Sequence, residues 1–234
     1  MTAASVALGL VVAVLVTANL LNNRIACRWY LLTSLGATAA LLALYRLSGA
    51  PWAAAGLGGG AVRRGAPWAL LLVALVALVY LAGALLRVTR PVFADRRVLG
   101  TGPGELAYQV LVRIPFGTVL LEEVAFRGVL YGLVREESGV IWATVVSAVL
   151  FGLWHVLPAA DLVRLNPVAG RAFDRRRALL VPASVLATGL AGVLLCETQR
   201  RTGSLLPPVA LHWAVNGLGY LTAFVVSRRL RYPT

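Results

Sequence analysis

The chain has 234 residues, of which 59% are hydrophobic and only 13% charged, with a mean hydropathy of +0.82. A water-soluble domain of this size needs far more polar surface to cover its core, so that class is excluded. The net charge of +13 comes from 22 basic residues, all of them arginine. They cluster between apolar blocks, as at Arg96-Arg97, Arg175-Arg176-Arg177 and Arg228-Arg229, which fits loops beside lipid headgroups and not a nucleic-acid-reading module.

Seven apolar blocks are predicted to span a bilayer as helices, each near the roughly 20 residues that a crossing requires. The first runs from about Ala3 to Leu21 and the second from about Trp29 to Leu47, with Arg24 and Arg28 between them. A glycine-rich stretch, Gly56 to Gly60, leads to the third, about Trp68 to Leu86. The fourth is long, about Glu105 to Val134, with Pro115 placed to kink it. The fifth covers about Gly139 to Leu157 and is expected to stop at Pro158. After an arginine-rich connection come the sixth, about Leu179 to Leu195, and the seventh, about Pro207 to Val226. Nothing alternates with the period of a barrel strand. The expected architecture is an all-α polytopic transmembrane bundle of about seven to eight spans, forming one integral membrane domain over residues 1–234.

Cys27 and Cys196 lie far apart, inside or beside apolar blocks, and read as packing residues. The first residues lack a positively charged leader, so the first helix is expected to be retained. With the N-terminus outside, 14 arginines fall in inner segments and six in outer ones. The positive-inside bias therefore favours N-out, C-in.

An ionisable group within a hydrocarbon span is costly and is a functional candidate by default. Three places qualify. In the fourth block, Glu122, Glu123 and Arg127 sit in an apolar helix. Glu123 and Arg127 are four apart and can pair on one face, whereas Glu122 points roughly 100° away. The pair reads as a structural clamp and Glu122 as the reactive carboxylate. In the fifth block, His155 follows Phe151 by one turn, and in the seventh His212 and Asn216 share a face.

Each feature alone also fits ordinary interhelical packing. The chain has only two histidines, however, and both fall in these spans opposite the glutamate pair. A proton-accepting carboxylate, an imidazole and a histidine–asparagine donor pair are the parts of a water-activating hydrolase. Glu122, His155 and His212 would also suit a zinc ion with one position open for water. Neither histidine belongs to a His-Glu-x-x-His helix. Ser204 has no Gly-x-Ser setting, and Asp95, Asp161 and Asp174 all fall in loops.

The ordered set of Glu-Glu-x-x-x-Arg, Phe-x-x-x-His and His-x-x-x-Asn resembles the CAAX prenyl protease and bacteriocin-processing (CPBP) family of intramembrane proteases. It is met by Glu122, Glu123 and Arg127, by Phe151 and His155, and by His212 and Asn216, within about residues 105–225. The resemblance implies hydrolysis of a peptide bond in a membrane-associated or lipidated protein. It implies that Glu122 and His155 activate water, that His212 and Asn216 stabilise the oxyanion, and that Glu123 and Arg127 brace the site. Its metal dependence stays open between a metal-free glutamate mechanism and zinc. The compact loops and lysine-free, Ala/Arg-rich composition suggest a prokaryotic plasma membrane. The competing readings are a non-catalytic immunity or scaffold protein, which would use the cluster for packing, and a small transporter.

One tension is visible in the spacing. The fifth and seventh helices run in the same direction, yet His155 lies near the end of one and His212 near the start of the other. For them to meet, the helices must be offset, tilted or longer than drawn.

Overall fold

Lipid offers no partner for backbone N–H and C=O groups, so a crossing segment must satisfy them internally. The computed structural model describes residues 3–165 and 177–230, and among these it is helical throughout with no strand. Six stretches are long and apolar enough to cross a membrane. Five are single passes: Val6–Ile25, Cys27–Ser48, Ala61–Leu85, Leu179–Thr202 and Leu206–Arg228. The other, Pro103–Ala160, is 58 residues long. A straight helix of that length would reach nearly 90 Å, about three times the hydrocarbon thickness.

That stretch folds back at Gly139, whose φ of 82° and ψ of 177° no helix contains. A side chain there would strain the turn. The return is confirmed by contacts across it, including a hydrogen bond from Ser147 Oγ to the Phe126 carbonyl at 2.8 Å. The described residues thus make seven passes.

The elements are α1 (Ala3–Leu20), α2 (Tyr30–Ser48), α3 (Ala61–Leu85), α4 (Pro103–Tyr108), α5 (Leu120–Glu122), α6 (Tyr131–Trp154), α7 (Val156–Leu165), α8 (Arg177–Thr202), α9 (Leu206–Trp213) and α10 (Gly219–Leu230). Wide π turns join several of them, at 109–119, 123–130 and 214–218. Pro115 lies in the first, where it withholds an N–H from the regular ladder. The centre of the bundle is the fourth pass: every residue from Leu121 to Val134 is buried. Around it pack Val11, Leu15 and Ala18 of α1, Leu41 and Tyr45 of α2, Phe151 and Trp154 of α6, and Leu195 and Cys196 of α8. By contrast, only Ala61, Gly65 and Ala69 of α3 are buried, so that helix is peripheral.

Helices α6 and α8 approach closely at Gly152, where a Cβ would stand 2.6 Å from the Val185 carbonyl oxygen. Small residues at such crossings let backbones meet without a hydrophobic drive between helices in lipid.

Three boundaries differ from the sequence reading. The fifth pass does not stop at Pro158: the helix breaks at His155 (φ −85°, ψ 1°). It resumes as α7 with Pro158 in the first turn, where a missing N–H costs little. The sixth pass runs on to Thr202, because Glu197 pairs with Arg200 and Arg201 at 2.6 Å and lets the charged end stay helical. The fourth begins at Pro103. The arginine-rich connection over 166–176, with Arg171, Arg175, Arg176 and Asp174, lies outside the described residues.

The expected tension between the two histidines resolves through unequal helix lengths. The hairpin tip at 135–140 is exposed. Leu205, just ahead of α9, instead lies at the level of Gly128, with its Cδ2 3.7 Å from a Cβ built there. The chain between α2 and α3 holds this recess, since Leu205 N donates to the Gly56 carbonyl at 3.0 Å and Gln199 Nε2 to that of Ala54 at 3.2 Å. His212 therefore begins two turns into a pass that itself starts deep, level with the glutamates.

A candidate hydrolytic site between the fourth, fifth and seventh passes

The two glutamates part company as their spacing predicts. Glu123 is fully buried and accepts from Arg127 Nη1 at 3.1 Å, one turn away. Its same oxygen, Oε1, lies 2.6 Å from His212 Nδ1. The clamp expected from sequence is therefore also the group that holds His212. A carboxylate beside a guanidinium can only accept, so Nδ1 carries the proton and Nε2 faces away from Glu123.

That Nε2 faces Glu122, whose Oε2 lies 3.9 Å away. His155 arrives at the same oxygen by an independent route. Its Nδ1 donates to the Phe151 carbonyl at 2.7 Å, because a carbonyl has no proton to give. The break in helix geometry at His155 turns the ring inward, and its Nε2 also stands 3.9 Å from Glu122 Oε2. Two imidazoles with fixed tautomers thus present Nε2 to one carboxylate oxygen. That oxygen is buried and has no protein hydrogen bond among the described residues.

The other oxygen of Glu122 accepts from the Trp154 indole at 3.0 Å. Sequence reasoning missed this residue, because an indole beside a histidine gives no sign of which group it serves. It also missed Asn19 of α1, whose amide donates to the Trp154 carbonyl at 2.8 Å. The first helix therefore helps position the site, although it carries none of the motifs. Trp154→Phe keeps the ring and removes the donor. It is expected to lower kcat about tenfold, the worth of one hydrogen bond to a charged group, and to cost about 1 to 3 kcal/mol in stability, because the buried Glu122 oxygen loses its donor. An unchanged kcat would remove Trp154 from the site.

Phe151 binds the parts together. The Arg127 guanidinium lies over its ring at 3.9 Å, a cation–π contact strengthened by burial. The rings of His155 and His212 meet it edge-on at 4.6 and 6.1 Å. Asn216 follows His212 by four residues. It lies in the π turn after α9, half-buried, and its amide bonds to none of the described site groups.

The spacing decides what fits between these groups. At 3.9 Å a direct hydrogen bond is excluded, whereas one water bonded to both partners at about 2.8 Å holds them roughly 4 to 5 Å apart. Two ligands of a tetrahedral zinc stand closer, about 3.3 Å apart. Among the described residues no group of three His, Cys, Asp or Glu side chains is arranged to hold a metal ion.

Residues 104–218 match a family model described as type II CAAX prenyl endopeptidase, Rce1-like. That stretch, just under half of the chain, carries the CPBP family assignment. The matched stretch contains all three motif pairs and both imidazoles, so the CPBP resemblance and the assembled site rest on the same residues. No curated protein and no solved structure matches the chain. Family and helices together make this an integral membrane protein of the CAAX-protease kind.

Proposed function

We propose that this CPBP protein hydrolyses a peptide bond of a membrane-associated or lipidated protein, using water activated by Glu122 without a metal step. The observation that carries the reading is the convergence of both Nε2 atoms on the unpartnered Glu122 Oε2, each at 3.9 Å. Glu122 takes a proton from the water as its oxygen attacks the scissile carbonyl, forming the C–O bond. His155 Nε2, the more open of the two imidazoles with a side chain 22% exposed, shares the water and orients it. The carbonyl electrons move onto the oxyanion. To donate to that oxyanion from Nε2, His212 must carry a second proton, and Glu123 is the counter-charge that allows it. Asn216 is the second expected donor, reached by rotation of its free amide. Collapse of the intermediate breaks the C–N bond, and the proton held by Glu122 passes to the leaving amine.

We infer an orientation with the C-terminus in the cytoplasm of a prokaryotic cell, which seven passes and the arginine bias favour. The test is hydrolysis of a lipid-anchored peptide by purified protein in vesicles made in ¹⁸O-water. One ¹⁸O is expected in each new carboxylate, with turnover retained after metal chelation. Absence of cleavage rejects the enzyme, and full loss on chelation restored by zinc rejects the metal-free step.

A further inference from the structure

The buried clamp leaves more polar atoms without a partner than it joins. Arg127 reaches Glu123 through one contact, Nη1 to Oε1 at 3.1 Å, and that oxygen is shared with His212. Glu123 Oε2 and Arg127 Nε and Nη2 are buried with no protein partner among the described residues. A buried ion pair offsets its desolvation only when its remaining lone pairs and protons are also hydrogen-bonded, and lipid supplies no partner for them.

Two further groups are in the same condition, the Tyr131 hydroxyl and Gln199 Oε1. Glu123, Arg127 and Tyr131 follow one another at four-residue intervals along the fourth pass, with Arg135 next at the exposed hairpin tip, so they lie along one side of it. Helix α8 supplies the other wall. Its Cys196 thiol is acted on by the charges of Arg127 and Glu123, and the Tyr131 hydroxyl by Cys196, Arg135 and Arg200. Cys196 also donates to Ser147 Oγ at 3.5 Å, and Gln199 follows it by one turn. A polar seam therefore runs from the clamp to the end of α8, where Arg200 pairs with Glu197 at the surface.

The chemistry of these groups selects their ligand. Arg127 only donates, Glu123 Oε2 and Gln199 Oε1 only accept, and the Tyr131 hydroxyl does both. An anion would suit the guanidinium and be repelled by the carboxylate, and a cation would meet the reverse. Water serves both. We propose that the seam between the fourth pass and α8 is an internal water site linking the Glu123–Arg127 pair to Tyr131 and Gln199. At the roughly three hydrogen bonds that a buried water makes, about two or three waters satisfy the groups. Their role rests on the hydrolytic reading of Glu122: they keep the buried pair ionised, so that Glu123 stands as the counter-charge for the second proton of His212. Tyr131 and Gln199 are then positioning residues that act on the chemistry through the clamp.

The test uses one thiol and one hydroxyl. Of the two cysteines, Cys27 is exposed and Cys196 buried, so Cys27→Ser leaves Cys196 as a single reporter inside the seam. After transfer of the full chain in vesicles to deuterium oxide, its S–H stretching band is expected to convert to S–D within minutes, because seam water carries deuterons to it. A band that persists for hours, as for a thiol reached only when helices open, overturns the site. Tyr131→Phe gives an independent sign. A hydroxyl bonded to held water stabilises the fold, so its loss is expected to lower the unfolding temperature in detergent. A bare buried hydroxyl destabilises it, so a raised unfolding temperature overturns the proposal. The same variant is expected to lower kcat about threefold to tenfold, the worth of one neutral hydrogen bond, with KM unchanged because Tyr131 is wholly buried beyond the clamp. An unchanged kcat overturns the link between the water and the chemistry. Fast exchange and a lowered unfolding temperature in a protein whose wild type cleaves no peptide support the water site and fail the hydrolase reading instead.

Discussion

Glu122→Gln is expected to reduce peptide hydrolysis by at least about a hundredfold, within the range that removal of a general base produces, while the protein folds as before. The amide is the same shape as the carboxylate. Its oxygen still accepts from the Trp154 indole, now 3.0 Å from Glu122 Oε1. Its nitrogen can donate to whichever imidazole Nε2 is nearer, both standing 3.9 Å from the present oxygen. What the variant cannot do is take a proton from water. Activity is read with the vesicle assay, and folding with thermal unfolding in detergent. This pair of readouts separates the enzyme from the two other classes. A scaffold that used the cluster for packing would lose stability, because a group selected for its charge would be gone from the interior. A transporter would keep its fold but lose ion-coupled uptake, with no hydrolysis to lose. Retained hydrolysis in Glu122→Gln would end the case for glutamate-activated water.

Most of this site was legible in the sequence because membrane burial makes each charge conspicuous. Glu122, Glu123, Arg127, His155 and His212 stand out in apolar runs, and helical spacing alone separates the Glu123–Arg127 pair from the reactive carboxylate. In the structure the pair stands at 3.1 Å and Glu122 is turned to the imidazoles. The residues that escaped are those whose role depends on tertiary register. Trp154 and Asn19 meet from sequence positions 135 residues apart, and no local pattern encodes that. Asn216 follows His212 by four residues, yet its amide meets none of the described site groups, because a shared helix face sets a direction and not a contact. The boundary at Pro158 was misplaced for a related reason: proline is tolerated in a first turn, and the real break comes where His155 must leave the helix to reach Glu122. The number of passes followed from hydropathy, but their relative depth did not. Only the packing of Leu205 beside Gly56 and Gly128 shows how His212 reaches the glutamates.

Arg127→Met is the substitution expected to cost most in stability. Arg127 is wholly buried, as is its partner Glu123. Methionine fills much of the same volume and keeps contact with the Phe151 ring, so packing alone changes little. The charge is another matter. Removing one member of a buried pair leaves the other uncompensated, at a cost of about 3 to 5 kcal/mol. Glu123 would retain only His212 Nδ1, now 2.6 Å away, and would draw that imidazole towards permanent protonation to balance itself. Activity should therefore fall along with the unfolding temperature. The double variant Arg127→Met, Glu123→Gln tells the two effects apart. With both charges gone the interior is neutral again, and replacing a whole buried pair is often harmless or stabilising. Stability should return close to that of wild type. Hydrolysis should not, since a neutral amide gives His212 a weaker acceptor and no counter-charge for the second proton that oxyanion donation requires. A double variant that is stable and inactive would show that the buried pair serves His212 and not the fold. Recovery of activity with stability would mean that Glu123 and Arg127 only pin the helices, and the positioning role assigned to Glu123 would be withdrawn.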